Sequence, residues 1–100
     1  MGRAKRIDEN QPAIVKALED SGCTVQSLSA MGVGVPDLIV GRAGANYFIE
    51  IKNPDKPKAD RQLNPAQVKW HDKWKGQCDV AYTVDDALRI VRLKKRMTPL

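Results

Sequence analysis

Two acidic residues and one lysine lie where the chain predicts neighbouring strands. Asp37 opens one predicted strand, and Glu50 and Lys52 lie in the next one. Because side chains alternate along a strand, Glu50 and Lys52 share a face and stand roughly 6–7 Å apart. If the two strands pair as a hairpin in simple register, Asp37 and Glu50 meet at one end of it.

Two carboxylates this close repel each other unless a cation lies between them. Mg²⁺ suits that position, because it takes oxygen ligands and commonly binds one or two carboxylates together with water and a phosphate. The backbone carbonyl of Ile51, between Glu50 and Lys52, offers a further oxygen ligand. The pattern therefore predicts a Mg²⁺ site beside a lysine, with Mn²⁺ expected to substitute.

The rest of the chain predicts a small α/β fold in the order α-β-β-β-α-β-α. A first helix begins at Asn10 as its N-cap and stops before Gly22, with Gln11 on its core-facing stripe. The strands are predicted over 23–29, 37–41, 46–52 and 80–84. The connections are a four-residue hairpin link over 42–45 and, over 53–63, a solvated loop with no core-facing pattern.

Two later helices carry start signals. Asn64 and Gln67 form an N-x-x-Q capping box for a second helix that runs to about Lys75. Thr83 or Asp85 caps a final helix. These elements place the carboxylates and the lysine on a sheet with helices packed against it.

Two sets of motifs resemble a known group of proteins. Pro36-Asp37 followed by Glu50-Ile51-Lys52 resembles the signature of the PD-(D/E)xK nuclease superfamily. The segments GVGVPD, EIK, LNPAQVKW and VAYTVDDAL resemble the VRR-NUC (virus-type replication-repair nuclease) domain over residues 8–92. The resemblance implies a restriction-endonuclease-like α/β fold, with a mixed central sheet flanked by helices. It also suggests a stand-alone, phage-type domain over 8–93, between a basic arm (1–7) and a basic tail (94–100).

The resemblance implies a role for each residue of the cluster. Asp37 and Glu50 would bind the metal, helped by the Ile51 carbonyl. Lys52 would position or activate the attacking water, or stabilise charge at the phosphate. Gln67 matches the helix-borne glutamine of the family, although the capping box explains the same residue equally simply.

The family often completes its site with an acid on the first helix. Gln11 occupies the inward-facing place where that acid is expected, and Glu9 is acidic but precedes the helix. Either residue would reach the metal through a bound water. The sequence leaves open whether one metal or two are held.

The remaining aromatic and sulfur residues receive structural interpretations. Trp70 and Trp74 recur at helical spacing and are predicted to be core residues rather than base-stacking platforms. His71 has no cysteine or second histidine at zinc spacing, so it is interpreted as a bystander near DNA, with general acid or base as the alternative. The two cysteines are expected to be reduced thiols without a catalytic role.

The charge balance indicates a polyanionic partner. The chain has 17 Lys and Arg against 12 Asp and Glu, a formal net charge of +5. Four basic residues after the lysine-bearing strand and on the second helix are predicted to contact the DNA backbone: Lys56, Lys58, Arg61 and Lys69. Arg89, Arg92 and Arg96 recur on the last helix, where a solvated face explains them equally well.

These features predict a metal-dependent endonuclease that hydrolyses phosphodiester bonds in DNA. The resemblance suggests structure-specific cleavage of branched DNA such as Holliday junctions, and symmetric cutting of two strands calls for a homodimer. The alternatives are a sequence-specific or nicking endonuclease on linear duplex, a catalytically silent DNA-binding module, and a basic accessory protein that binds a protein partner.

No apolar run approaches the ~18 residues that a membrane span needs, and the first residues lack the apolar stretch of a secretory signal. We therefore expect a cytoplasmic protein, in the bacterial host cell if a phage encodes it. No membrane partner and no small organic cofactor are expected.

Overall fold

A computed structural model describes residues 7–96, with side chains as far as residue 92. The helices and strands are α1 (Gln11–Asp20), β1 (Thr24–Ser27), β2 (Leu38–Arg42), β3 (Ala45–Ile51), α2 (Pro65–Lys73), β4 (Asp79–Ala81) and α3 (Val84–Arg96). The predicted order is confirmed. The strands form one sheet in the order β1-β2-β3-β4, antiparallel except for β4, which runs parallel to β3.

The mixed sheet flanked by helices is the predicted architecture. Short 3₁₀ turns, Ser29–Met31 and Lys58–Arg61, interrupt two of the loops. The predicted N-terminal arm lies outside the described residues except for Ile7. α3 continues to Arg96, inside the predicted tail, and the rest of that tail lies outside the described residues.

The β2–β3 hairpin is tighter than predicted. Arg42 pairs with Ala45, so only Ala43 and Gly44 form the turn, and the predicted four-residue connection was wrong. Both turn residues have positive φ, 49° and 82°, as in the type I′ turns whose twist matches two paired strands. The alanine in this position was a weak turn signal, because non-glycine residues seldom adopt positive φ.

The alternation of β3 separates two environments. Tyr47 and Ile49 belong to the buried core with Ile14 and Leu18 of α1. Phe48, on the other face of the strand, contacts Trp70 of α2. The sheet therefore carries α1 on one face and α2 on the other, and Glu50 lies on the α2 side.

The start of α1 differs from the prediction. Asn10 makes no side-chain cap to its own helix. Its amide instead donates to the carbonyls of Lys52, at 3.1 Å, and Tyr82, at 2.9 Å. Asn10 therefore ties the beginning of α1 to the end of β3 and to the segment after β4. Gln11 is buried as predicted, and Gly22 follows the helix with a φ of 95°.

The later helices confirm their predicted starts. Asn64 and Gln67 form the predicted capping box. α2 ends two residues before the predicted Lys75, because Trp74 has extended backbone angles. At α3 the cap is Thr83 rather than Asp85: its hydroxyl accepts from the Asp86 N–H at 3.0 Å.

A side chain completes the sheet where β4 is too short to do so. Gln77 precedes β4, accepts from the Phe48 N–H at 2.8 Å and donates to the Phe48 carbonyl at 2.9 Å. Its amide thus pairs with β3 as a strand residue would. Within residues 7–96, no helix is long and apolar enough to cross a membrane.

Candidate active site

The open end of the hairpin brings Asp37 and Glu50 together. Leu38 pairs with Ile49, so the residue before β2 reaches the position opposite Glu50. One Asp37 oxygen accepts from the Ile51 N–H at 2.7 Å. Both carboxylates are buried, with Asp37 5% and Glu50 1% exposed. The predicted register and convergence are therefore present.

Lys52 and Glu50 are connected through one amide. The Lys52 ammonium donates to Gln67 Oε1 at 2.8 Å, and Gln67 Nε2 donates to Glu50 Oε2 at 2.9 Å. Gln67 Oε1 also accepts from the Asn64 N–H at 2.9 Å, which is half of the capping box. Gln67 therefore forms the capping box of α2 and also contacts both charged groups, while its role in a catalytic site stays a prediction.

These groups line one cavity of about 290 Å³. Its lining comes from the open end of the hairpin, the loop before β2, the turn after β3, the start of α2 and the segment before α1: Asp8, Val33, Gly34, Asp37, Glu50, Ile51, Lys52, Asp60, Asn64 and Gln67. Polar and charged side chains thus surround a space large enough for a phosphate and its waters.

Gly34 allows the loop before β2 to pack closely against α2 at the edge of the cavity. Gly34 has a φ of 94°, and a Cβ atom at this position would lie 3.0 Å from the Ala66 carbonyl oxygen. Both the backbone angle and the close approach require glycine. The loop therefore lies directly against the first turn of α2, which carries Gln67.

The residues expected from the first helix do not line the cavity. Gln11 is buried and Glu9 is exposed, and neither borders the space around Asp37. Asp8, which the sequence interpretation missed, does border it. Helical periodicity indicated Gln11 and the neighbouring Glu9, whereas Asp8 lies before the helix, in a turn where its carbonyl accepts from the Gln11 N–H at 3.0 Å.

Asp60 was missed as well. The loop 53–63 is mostly exposed, as predicted, and so is Asp60 itself, but the loop passes beside the cavity. Asn53 is buried and its side-chain oxygen accepts from the Asp55 N–H at 2.9 Å, which turns the chain back after β3. The 3₁₀ turn that follows brings Asp60 to the cavity.

The predicted DNA contacts take two positions. Lys56, Lys58 and Arg61 lie on or beside the turn that carries Asp60, with Lys58 exposed and the other two half-buried. Lys69 is exposed on α2 and does not line the cavity. On α3, Arg89 forms an ion pair with Asp86 at 2.6 Å, and Arg92 is exposed.

Trp70 and Trp74 were predicted to be core residues, and this was wrong. Trp70 is half-buried, and Trp74 is 43% exposed. Their rings stack with centroids 4.8 Å apart, and both form T-shaped contacts with the Phe48 ring. The 3.6-residue pattern assumed that α2 continues through Trp74, whereas the helix ends one residue earlier.

The His71 ring lies beside a thiol, away from the cavity lining. Cys78 Sγ lies 3.5 Å from His71 Nε2, and both side chains are half-buried. Cys23 and Cys78 are not joined in a disulfide, as expected.

The oxygen donors in the cavity fit a divalent metal. Asp37 and Glu50 supply carboxylates, and Ile51 lines the same cavity beside them. Within residues 7–96, no group of three or more His, Cys, Asp or Glu side chains is placed to hold a metal. Such a donor set suits Mg²⁺, which keeps several waters and binds through one or two carboxylates, better than Zn²⁺, which prefers nitrogen and sulfur.

Comparison with solved structures shows a likeness in fold. No family model matches the chain, and no curated protein is similar to it. A solved structure named as a VRR_NUC domain is similar, with a TM-score of 0.62 and 23% identity over 82% of this chain and 89% of that one. This chain therefore has the fold of a VRR_NUC domain, and the resemblance drawn from its motifs is confirmed for the fold.

Proposed function

We propose that this protein is a metal-dependent endonuclease that hydrolyses phosphodiester bonds in DNA. The observation that carries the proposal is the meeting of Asp37, Glu50 and Lys52 in one cavity. Two buried carboxylates would repel a phosphate unless a cation lies between them and the phosphate. The name of the structurally similar VRR_NUC domain supports the coarser statement, that the fold is that of a nuclease.

Asp37, Glu50 and the Ile51 carbonyl would hold Mg²⁺, or Mn²⁺ in its place. When bound, such an ion polarises a phosphoryl oxygen and favours deprotonation of a coordinated water. The Asp37 carboxylate is oriented for this by the Ile51 N–H, which fixes one of its oxygens at 2.7 Å. Asp8 and Asp60 add negative charge around the same space.

Lys52 is the group that meets the phosphate. Lys52 lines the same cavity as both carboxylates and is only 8% exposed. A fixed donor at the point where negative charge develops stabilises a transition state more than a mobile, hydrated one. Gln67 is the positioning residue, because it holds Lys52 and Glu50 at once.

For the substrate we propose branched DNA, including the four-way junction. The exposed Lys58 and the half-buried Lys56 and Arg61 lie on or beside the turn at the cavity and would contact backbone phosphates. The described part of the chain has one such cavity, so symmetric cutting of two strands would require a two-fold dimer. Lys69, exposed on α2, would extend the contact along the DNA.

The test compares four DNAs of matched sequence: a four-way junction, a flap, a nicked duplex and a linear duplex. Each is incubated with Mg²⁺, Mn²⁺ or EDTA. We expect cutting of the junction with either metal and none in EDTA. Equal cutting of all four would reject branch selectivity, and binding without cutting under any metal would favour the silent DNA-binding module.

A further inference from the structure

Trp74 presents a large aromatic surface just after α2. It is 43% exposed, although its indole packs against Trp70 and Phe48. It stacks on Trp70 at 4.8 Å with an angle of 13° between the rings, and its ring meets Phe48 edge-on at 5.1 Å. A rigid exposed indole is informative, because tryptophans in soluble domains are usually highly buried.

Two features of the chain at the end of α2 fix the position of this indole. A Cβ atom at Gly76 would lie 2.9 Å from the Trp74 indole nitrogen, so a larger residue there would force the ring to move. The backbone at Trp74 is extended, which turns the residue out of the helix. Two local features thus hold the indole where solvent reaches it.

The surroundings of the indole are cationic. The exposed side chains of the segment 69–75 include Lys69, Lys73 and Lys75, and the only acid among them is Asp72. Aromatic surfaces beside lysines are the general means by which proteins bind single-stranded nucleic acid: bases stack on the rings and phosphates meet the cations.

We propose that Trp74 is a stacking platform for an unpaired base of a DNA strand, with Lys73 and Lys75 binding its phosphates. Bases inside a duplex already stack on each other, so the ligand is an unpaired nucleotide at a flap, a gap or an opened junction. The charge of the segment favours this ligand over a peptide, which would not need three lysines.

The platform lies within reach of the cavity. Gln67 precedes Trp74 by seven residues, which corresponds to roughly 10 Å along α2, or about three stacked nucleotides. Phe48, which supports the indole, lies on the same strand face as Glu50. The inference rests on the proposed function only in taking DNA as the ligand, and it places the unpaired strand beside the scissile bond.

The test measures binding in EDTA, so it does not depend on cleavage. The chain has two tryptophans, and Trp70→Phe leaves Trp74 as the sole indole fluorophore. This variant is titrated with an oligo(dT) of about eight nucleotides, within the site sizes of single-strand binders, and with an abasic oligonucleotide of equal length. We expect quenching of Trp74 fluorescence by oligo(dT) and little by the abasic strand. No quenching by oligo(dT) would overturn the proposal.

A second arm uses affinity. Trp74→Ala should weaken oligo(dT) binding about 5- to 100-fold and leave abasic binding unchanged, while Trp74→Phe keeps most of the preference for bases. Lys73→Ala should weaken both ligands equally, and the exposed Lys16→Ala on α1 should weaken neither. Equal affinity of Trp74→Ala and wild type for oligo(dT) would overturn the platform. Quenching without any cleavage of branched DNA would instead overturn only the proposed nuclease.

Discussion

At the scale of single residues, Gln67 connects the fold to the proposed chemistry. Its backbone and side chain complete the α2 capping box, and the same side chain contacts the Lys52 ammonium and the Glu50 carboxylate. A glutamine is suited to this, because its amide offers both an acceptor and a donor. A glutamate could accept from Lys52 but would repel Glu50.

Gln67→Ala should therefore lower both stability and cleavage. Losing the amide removes one hydrogen bond from each of two buried charged groups, which should lower the unfolding free energy by about 1–3 kcal/mol. We expect cleavage to fall about 10- to 100-fold, as when a group that orients an active residue is removed. The measurements are urea denaturation and the initial cleavage rate.

The matched control for that variant is Thr83→Ala. It removes the cap of α3, at a cost of about 1 kcal/mol, and Thr83 does not line the cavity. Thr83→Ala should keep the wild-type cleavage rate at temperatures where both variants are folded. An equal loss of cleavage in the two variants would mean that Gln67 acts only through stability.

The sequence could predict the core of the site but not its margin. Asp37, Glu50 and Lys52 are positioned by alternation along a strand and by the register of one hairpin, both of which are local rules. Asp8 and Asp60 come from irregular segments, whose courses depend on tertiary contacts such as those of Asn10 and Asn53. No local pattern specifies where such segments pack.

At the scale of elements, the start of α3 depends on a charged carboxylate. Asp86 accepts from the Tyr82 and Thr83 N–H groups at 2.9 and 3.2 Å. Partial burial opposes its charge, but these two hydrogen bonds and Arg89 outweigh it and lower the pKa of Asp86. The charged form thus contributes to stability, and its position in the first turn also favours negative charge.

The lowered pKa fixes the direction of a pH effect. A carboxyl with a lower pKa in the folded state contributes stability above its ordinary value near 3.9, and this is lost as the pH falls through the folded pKa. Asp86→Asn should therefore reduce the unfolding free energy by about 1 kcal/mol at pH 7 and by less at pH 3. Urea denaturation at the two pH values measures this. An equal difference at both would contradict the assignment.

Element boundaries were predictable where local chemistry decides them. The capping box at Asn64 and the stop at Gly22 follow from side-chain chemistry and backbone freedom. The end of α2 was not predictable, because Trp74 leaves the helix to stack on Trp70 over Phe48, which requires knowing that β3 lies beneath them. The alternation of β3 itself was correct.

At the scale of the whole molecule, a net charge of +5 accompanies a cavity with acidic groups at its base. In the proposed complex, cations on the surrounding surface would attract the DNA backbone, and the metal would neutralise the acids inside. The basic turn around Lys58 lies at the cavity, whereas Lys16 is paired with Asp20 on α1. For the proposed function, the position of the charges therefore matters more than the net charge.

Binding of DNA in EDTA should weaken with salt in proportion to the phosphates contacted. Lys58→Ala should reduce the slope of log K against log[salt] by about 1, because one counterion fewer is released. Lys16→Ala should leave the slope unchanged. Filter binding or fluorescence anisotropy at several salt concentrations measures both slopes. An unchanged slope in Lys58→Ala would remove that turn from the DNA-binding surface.

The central claim is that Asp37 and Glu50 hold a metal that cleavage requires, and Glu50→Gln tests it most directly. The amide keeps the shape of the side chain and an acceptor for Gln67 while removing the charge that binds the ion. The measurement is the initial rate of four-way junction cleavage in Mg²⁺, with junction affinity in EDTA and the melting temperature measured alongside. We predict a rate lower by at least about a hundredfold, with affinity and melting temperature close to wild type. Cleavage by Glu50→Gln at the wild-type rate would contradict the proposed site.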